Sequence, residues 1–333
     1  MSGSSTVSVI TGVSANILVT IAKFIGWGMT GSSALLSEAI HSVADTSNQA
    51  LLLLGLKRSE RPADAHHPFG YGRDRFFWGL VSALGIFFVG AGVTIMHGIE
   101  ALIDPHHVDH GVATWVVLAI ALVLEGGALT VAVRGIAREA RRMGMSFRRY
   151  VAEGKDPTAL AVLLEDGAAV FGVLIAAVCI LLAEVTGELF WDGLASILIG
   201  LLLAFVAIFL IAKNRAYLIT KAIDHDVADK VRAIIEADDA VEHISSFTGT
   251  VAALGTYRIA ADIDFDGAKI AERVVTPEDL AAIRGAKDDD ELMAYLGGLA
   301  DRLIDGVGDE ADELEERIRA QVPEARYVDL EQD

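Results

Sequence analysis

Ser37-Glu38-Ala39-Ile40-His41-Ser42-Val43-Ala44-Asp45 lies about halfway along an apolar segment long enough to cross a bilayer. Leu163-Leu164-Glu165-Asp166-Gly167 occupies the same place in a second such segment. A charged side chain at that depth costs about 3 kcal/mol on insertion scales, so such groups turn to one another, to a water-filled path or to an ion. The spacing of four puts His41 and Asp45 one above the other on a single helix face, and Glu38, three residues before His41, shares that face. An imidazole nitrogen and several carboxylate oxygens around one space form a ligand set for a divalent transition metal. The candidate metal residues are therefore Glu38, His41, Asp45, Glu165 and Asp166. Glu38 and Glu165 carry two further readings: a partner that orients His41, or a proton carrier.

The rest of the chain supports a membrane setting. Of its 333 residues 53% are hydrophobic, and mean hydropathy is +0.46. Apolar runs of membrane-crossing length recur at 8–29, 33–56, 76–102, 112–134, 158–183 and 190–213, then stop. The first run lacks the basic flank and small-residue cleavage site of a secretory signal. Lys57, Arg58, Arg61, Arg73 and Arg75 crowd one connection, and Arg134, Arg138, Arg141, Arg142, Arg148, Arg149 and Lys155 crowd another; the alternate connections carry no Lys or Arg. The positive-inside rule then puts both basic loops, both termini and the C-terminal region in the cytoplasm, as for a multi-pass protein of the cell (inner) membrane. Lys23 is expected to snorkel or pair with an acid, and Asn48 and Glu125 to make polar contacts between helices.

Charge divides the chain. Residues 221–333 hold 12 Lys and Arg against 29 Asp and Glu, a net of −17 out of −19 for the whole. Residues 1–220 read as a six-helix transmembrane domain and 221–333 as an acidic water-soluble one, unsuited to nucleic acid. In the tail, helical periodicity over 226–238 precedes strand patterns near 241–251 and 257–265, a helix over 309–321 and a strand over 326–331. That order suits a small ferredoxin-like α+β domain with an insertion near 267–308, where Thr276-Pro277-Glu278-Asp279 starts a helix. The single cysteine, Cys179, excludes a disulfide or Cys-based zinc site within one chain.

The second-span stretch continues Thr46-Ser47-Asn48-Gln49, followed by His67-Pro68-Phe69-Gly70-Tyr71-Gly72-Arg73, Leu164-Glu165-Asp166, Val170-Phe171-Gly172-Val173, Asp262-Ile263-Asp264-Phe265-Asp266-Gly267 and Ala325-Arg326-Tyr327-Val328-Asp329-Leu330-Glu331. Together these resemble the cation diffusion facilitator family, in the branch that contains zinc transporter nine, over almost the whole chain. The resemblance implies export of a divalent metal, zinc first, by proton antiport in a homodimer, with no enzymatic step and no resident cofactor. Zinc-transporting members pair the second-span motif with His-x-x-x-Asp in the fifth span. Here Asp166 matches the aspartate, but Val162 stands where the histidine would be. At about 100° per residue, Glu165 and Asp166 straddle the direction of Val162 at about −60° and about +40°. Such a set is harder and more anionic than one with two histidines and leaves Mn²⁺, Fe²⁺ and Co²⁺ open beside Zn²⁺. Metal and protons would compete for these ligands, with His41 the group that titrates near neutrality. A membrane metalloenzyme would need a motif such as His-Glu-x-x-His, which is absent. The missing histidine keeps a second reading open, a non-transporting regulatory or scaffold protein on a transporter fold.

Overall fold

The structure is a computed structural model that describes residues 17, 19–104, 111–153 and 156–333. The chain divides between Ile219 and Thr220 into two compact units.

In the first unit, helix α1 covers 19–30. It is followed by α2 (Ser33–Ser59), α3 (Asp74–Ile103), α4 (Val112–Arg142), a short α5 (Phe147–Glu153), α6 (Pro157–Thr186) and α7 (Phe190–Leu218). Among the described residues, α3, α4 from Thr114, α6 and α7 are long and apolar enough to cross a membrane. Helix α2 matches them in length, at 27 residues, but its middle carries Glu38, His41 and Asp45. The first expected span, 8–29, begins outside the described residues. Large apolar side chains such as Phe88, Met96, Val123, Phe171 and Phe205 point outward, as a hydrocarbon surround requires.

Helix α3 passes through a π-helical segment, Ile86–Ala91, at mid-length. It meets α7 along a seam of glycines. A Cβ added at Gly98 would stand 2.8 Å from Ile197, one at Gly193 2.9 Å from Leu102, and one at Gly200 2.5 Å from Ile95. Small residues let two backbones approach this closely in a membrane. Helix α2 starts on a carboxylate supplied by α7: Asp192 accepts from the Ser32 hydroxyl at 2.5 Å and from the Ser33 and Ala34 amides. These amides are among the orphan donors of a helix N-terminus. Arg75 of α3 donates to Asp156 at 2.9 Å and to Thr158 at 2.7 Å; Asp156 also caps α6.

The second unit holds α8 (His225–Glu236), β1 (Val241–Ala253), β2 (Thr256–Phe265), α9 (Gly267–Val274), α10 (Pro277–Gly285), α11 (Asp289–Gln321) and β3 (Ala325–Gln332). The sheet order is β1-β2-β3, with β1 antiparallel and β3 parallel to β2. Ile259, Ala261 and Ile263 alternate inward and pack with Val231 and Ile235 of α8, Leu314 and Ile318 of α11, and Val328 and Leu330 of β3. The predicted last helix is corrected in length: it begins at Asp289 rather than near 309, so the 267–308 stretch consists of α9, α10 and the first part of α11.

Each sheet edge is partly covered. Residues 221–223 bond to the end of β1 through Lys221 and Ile223. On β3, the Leu330 amide donates to Glu315, and the Val328 carbonyl accepts from Arg319, both from α11. The face opposite the helices, with Asp262, Asp264, Asp329 and Glu331, stays polar.

Candidate metal centre

Sequence spacing alone puts His41 and Asp45 together, and the structure agrees: His41 Nε2 lies 3.1 Å from Asp45 Oδ2, both largely buried. His41 is the ninth residue of α2 and Asp166 the tenth of α6, so each is about 12–14 Å from its helix start and near mid-membrane. The two helices pack together, and Glu165 of α6 meets α2 at Asn48, three residues beyond Asp45.

Glu165 is buried and accepts from the Asn48 amide nitrogen, while Ser82 of α3 donates to the Asn48 carbonyl oxygen. Its other oxygen, Oε1, has no hydrogen-bond partner. Glu38 is placed differently from the other candidates. Its Oε2 is 3.0 Å from the Lys23 ammonium, which also lies 3.1 Å from Glu125 of α4. Lys23 is 1% exposed and does not snorkel to the membrane edge. Glu38 Oε1 points at Gly172 of α6, where a Cβ would come within 2.3 Å.

Buried polar atoms normally find partners. Here Glu38 Oε1, His41 Nδ1, Ser42 Oγ and Glu165 Oε1 are buried without hydrogen bonds, while His41 Nε2 meets Asp45. Carboxylate oxygens and an imidazole with this spare capacity are ligands suited to a cation. As the side chains stand, no three of His, Cys, Asp or Glu among the described residues converge on one point. A metal here would draw Asp166 and Glu165 toward the His41–Asp45 pair by side-chain rotation.

The sequence reading missed Ser82 and Asp192, and it named Gly172 and Arg75 without the contact of Gly172 with Glu38 or the tie of Arg75 to Asp156. In the loop after α2, Asp64 accepts from the His66 and His67 amides and from the Tyr71 hydroxyl, and Gly70 turns with φ of 75°. The Tyr71 hydrogen bond, with the two amides, holds the Asp64 carboxyl below the usual carboxylate range. This is a self-capped turn.

Residues 9–219 match the family described as the cation efflux transmembrane domain. The chain is similar to the human proton-coupled zinc antiporter SLC30A9, mitochondrial, with 39% identity over 313 residues, covering 93% of this chain and 55% of that protein. It is similar to metal tolerance protein C4 of Arabidopsis thaliana, with 37% identity over 331 residues, 97% of this chain and 72% of that one. A shorter match, 30% over 106 residues, joins 31% of it to 33% of the magnetosome protein MamM of Magnetospirillum gryphiswaldense. The chain thus spans about half the length of the animal relatives. Two long spans with acids and a histidine at matching depth, a packed helical unit and these alignments lead to one conclusion: the chain belongs to the cation efflux family.

Proposed function

We propose that this multi-pass membrane protein moves a divalent transition metal, zinc first, out of the cytoplasm in exchange for protons. The observation that carries the reading is the buried His41–Asp45 pair of α2 beside packed α6, where Glu165 Oε1 is buried without a hydrogen-bond partner. The names of the relatives, a zinc antiporter and a metal tolerance protein, support the cargo and the coupling. His41, Asp45 and Asp166 hold the ion, and Glu165 completes the set where Val162 replaces a histidine. Glu38, committed to Lys23, stands outside it. Metal binding requires neutral His and ionised carboxylates, so an arriving ion expels protons from the same groups and one ligand set couples both fluxes. The basic connections support an orientation with the termini and the tail in the cytoplasm, in the inner membrane of a cell. The working form is a homodimer.

The test is zinc uptake into proteoliposomes under an imposed pH gradient. Asp45→Ala and Asp166→Ala should each abolish uptake while the protein stays folded and inserted. Uptake at the wild-type rate by either variant would show that the ion passes elsewhere.

A further inference from the structure

Polar side chains between helices of the first unit lie at successive levels along α2. Asn48, with Ser82 and Glu165, marks one, and the His41–Asp45 pair the next. The third lies a turn nearer the α2 N-terminus and consists of Glu38, Lys23 and Glu125, with Gly172 of α6 beneath Glu38. The middle layer is partly open: the Asp45 side chain is 13% exposed. Lys23 and Glu38, at 1% and 0%, are shut in. An ion at Asp45 that leaves toward the α2 N-terminus has to pass this third layer.

Glu38 and Glu125 come from different helices and meet only through the ammonium of a third. Three features mark that ammonium as more than a packing device. Well-packed apolar side chains are often as stabilising as a buried ion network, so one is weak evidence for stability alone. Lysine presents a compact point charge on a flexible stem, closer to a bound ion than a guanidinium fork is. Glu38 Oε1 is left without a partner, a donor the ammonium does not use. The carboxylates in contact with the ammonium are those of Glu38 and Glu125.

We propose that Lys23 is a tethered cation closing one end of the metal path: its ammonium occupies a carboxylate pair, Glu38 and Glu125, that a divalent ion occupies in its place when that end opens. The inference deepens the transport reading and rests on it. It assigns Glu38 and Glu125 to a second, transient cation station rather than to the central site.

Zinc bound at equilibrium by the full chain in lipid nanodiscs tests it. Lys23→Met should bind one more zinc per protomer than wild type, Lys23→Arg no more, and Lys23→Met with Glu38→Gln no more. In Glu38→Gln with Glu125→Gln, the released ammonium should turn to Asp45 and Asp166 and weaken zinc binding at least tenfold, up to about a thousandfold for one charge contact near 4 Å at protein dielectric. The inference is overturned by a folded Lys23→Met with wild-type stoichiometry, by an extra zinc that survives Glu38→Gln, or by an unchanged Kd in the double Gln variant. Failure of both variants to fold would make the network purely structural and also overturn it. Asp45→Ala in the same assay separates the two levels. If wild-type zinc binding ignores that change, the transport reading itself fails; if it depends on Asp45 while Lys23→Met gains nothing, only the gate does.

Discussion

Gly172 shows how tightly single residues are specified around the charged layers. An exchange of glycine for alanine inside a helix usually stabilises by about 0.5–1 kcal/mol. At Gly172 the added methyl would collide with Glu38 Oε1, whose other oxygen is held by Lys23. Gly172→Ala should therefore destabilise, by about 1–3 kcal/mol as for other overpacked interiors. Gly135→Ala, at a position with nothing nearby, should be neutral or mildly stabilising. Thermal unfolding in detergent compares them, and equal midpoints for the two variants would mean that the Glu38 carboxylate is free to move away. The His41–Asp45 pair was legible because a spacing of four is local geometry. The partners of Lys23 were not: Glu38 and Glu125 lie 15 and 102 residues away, and no periodicity encodes such a meeting. For the same reason the meeting of Glu38 with Lys23 was hidden from its helix face alone.

Helix α11 is the element that sequence patterns hid. The part before Asp309 contains Gly297, Gly298, Gly306 and Gly308, each costing about 1 kcal/mol against alanine in a helix. Propensity thus argues for a break, and only the stretch past 309 looks helical. Tertiary contact decides otherwise: Gly306 gives room to Val274 of α9, where a Cβ would lie 2.6 Å away. The strands were legible because one face of the sheet is buried and the other polar. Helix α10 was announced by Thr276 and Pro277, and its capping box forms with Asp279. Asp279 then accepts from Tyr295 and Arg302 of α11 and ties the two helices together. The Tyr295 hydroxyl, then the Thr276 amide and Arg302, hold its carboxyl well below the usual carboxylate range. A depressed folded-state pKa contributes stability that is present above the ordinary pKa and lost as pH falls through the folded value. Asp279→Asn should lower the unfolding midpoint of the second unit at pH 7, and the gap to wild type should close as pH drops below about 4. A gap that persists unchanged under strong acid would assign the loss to packing.

At the scale of the whole molecule, charge constrains how two copies can meet. Residues 221–333 carry a net −17. Association of tails therefore works against a repulsion screened over about 8 Å at physiological salt. The isolated second unit, which has its own core, should be monomeric at low salt and dimeric as salt or divalent cation rises, by light-scattering mass. A monomer under every condition would confine dimerisation to the membrane part. Within that part, the glycine seam between α3 and α7 has a mechanical consequence. Ile95, Ile197 and Leu102 each enter a notch on the opposite helix, and the three notches share one antiparallel register. A shift by one turn would drive isoleucine onto isoleucine at backbone distance. The pair is keyed like tongue and groove and travels as one plank, so any change of access has to be carried by the helices that slide past it. Spin labels on α3 and α7 should report one distance with and without zinc, while labels on α2 and α6 should not.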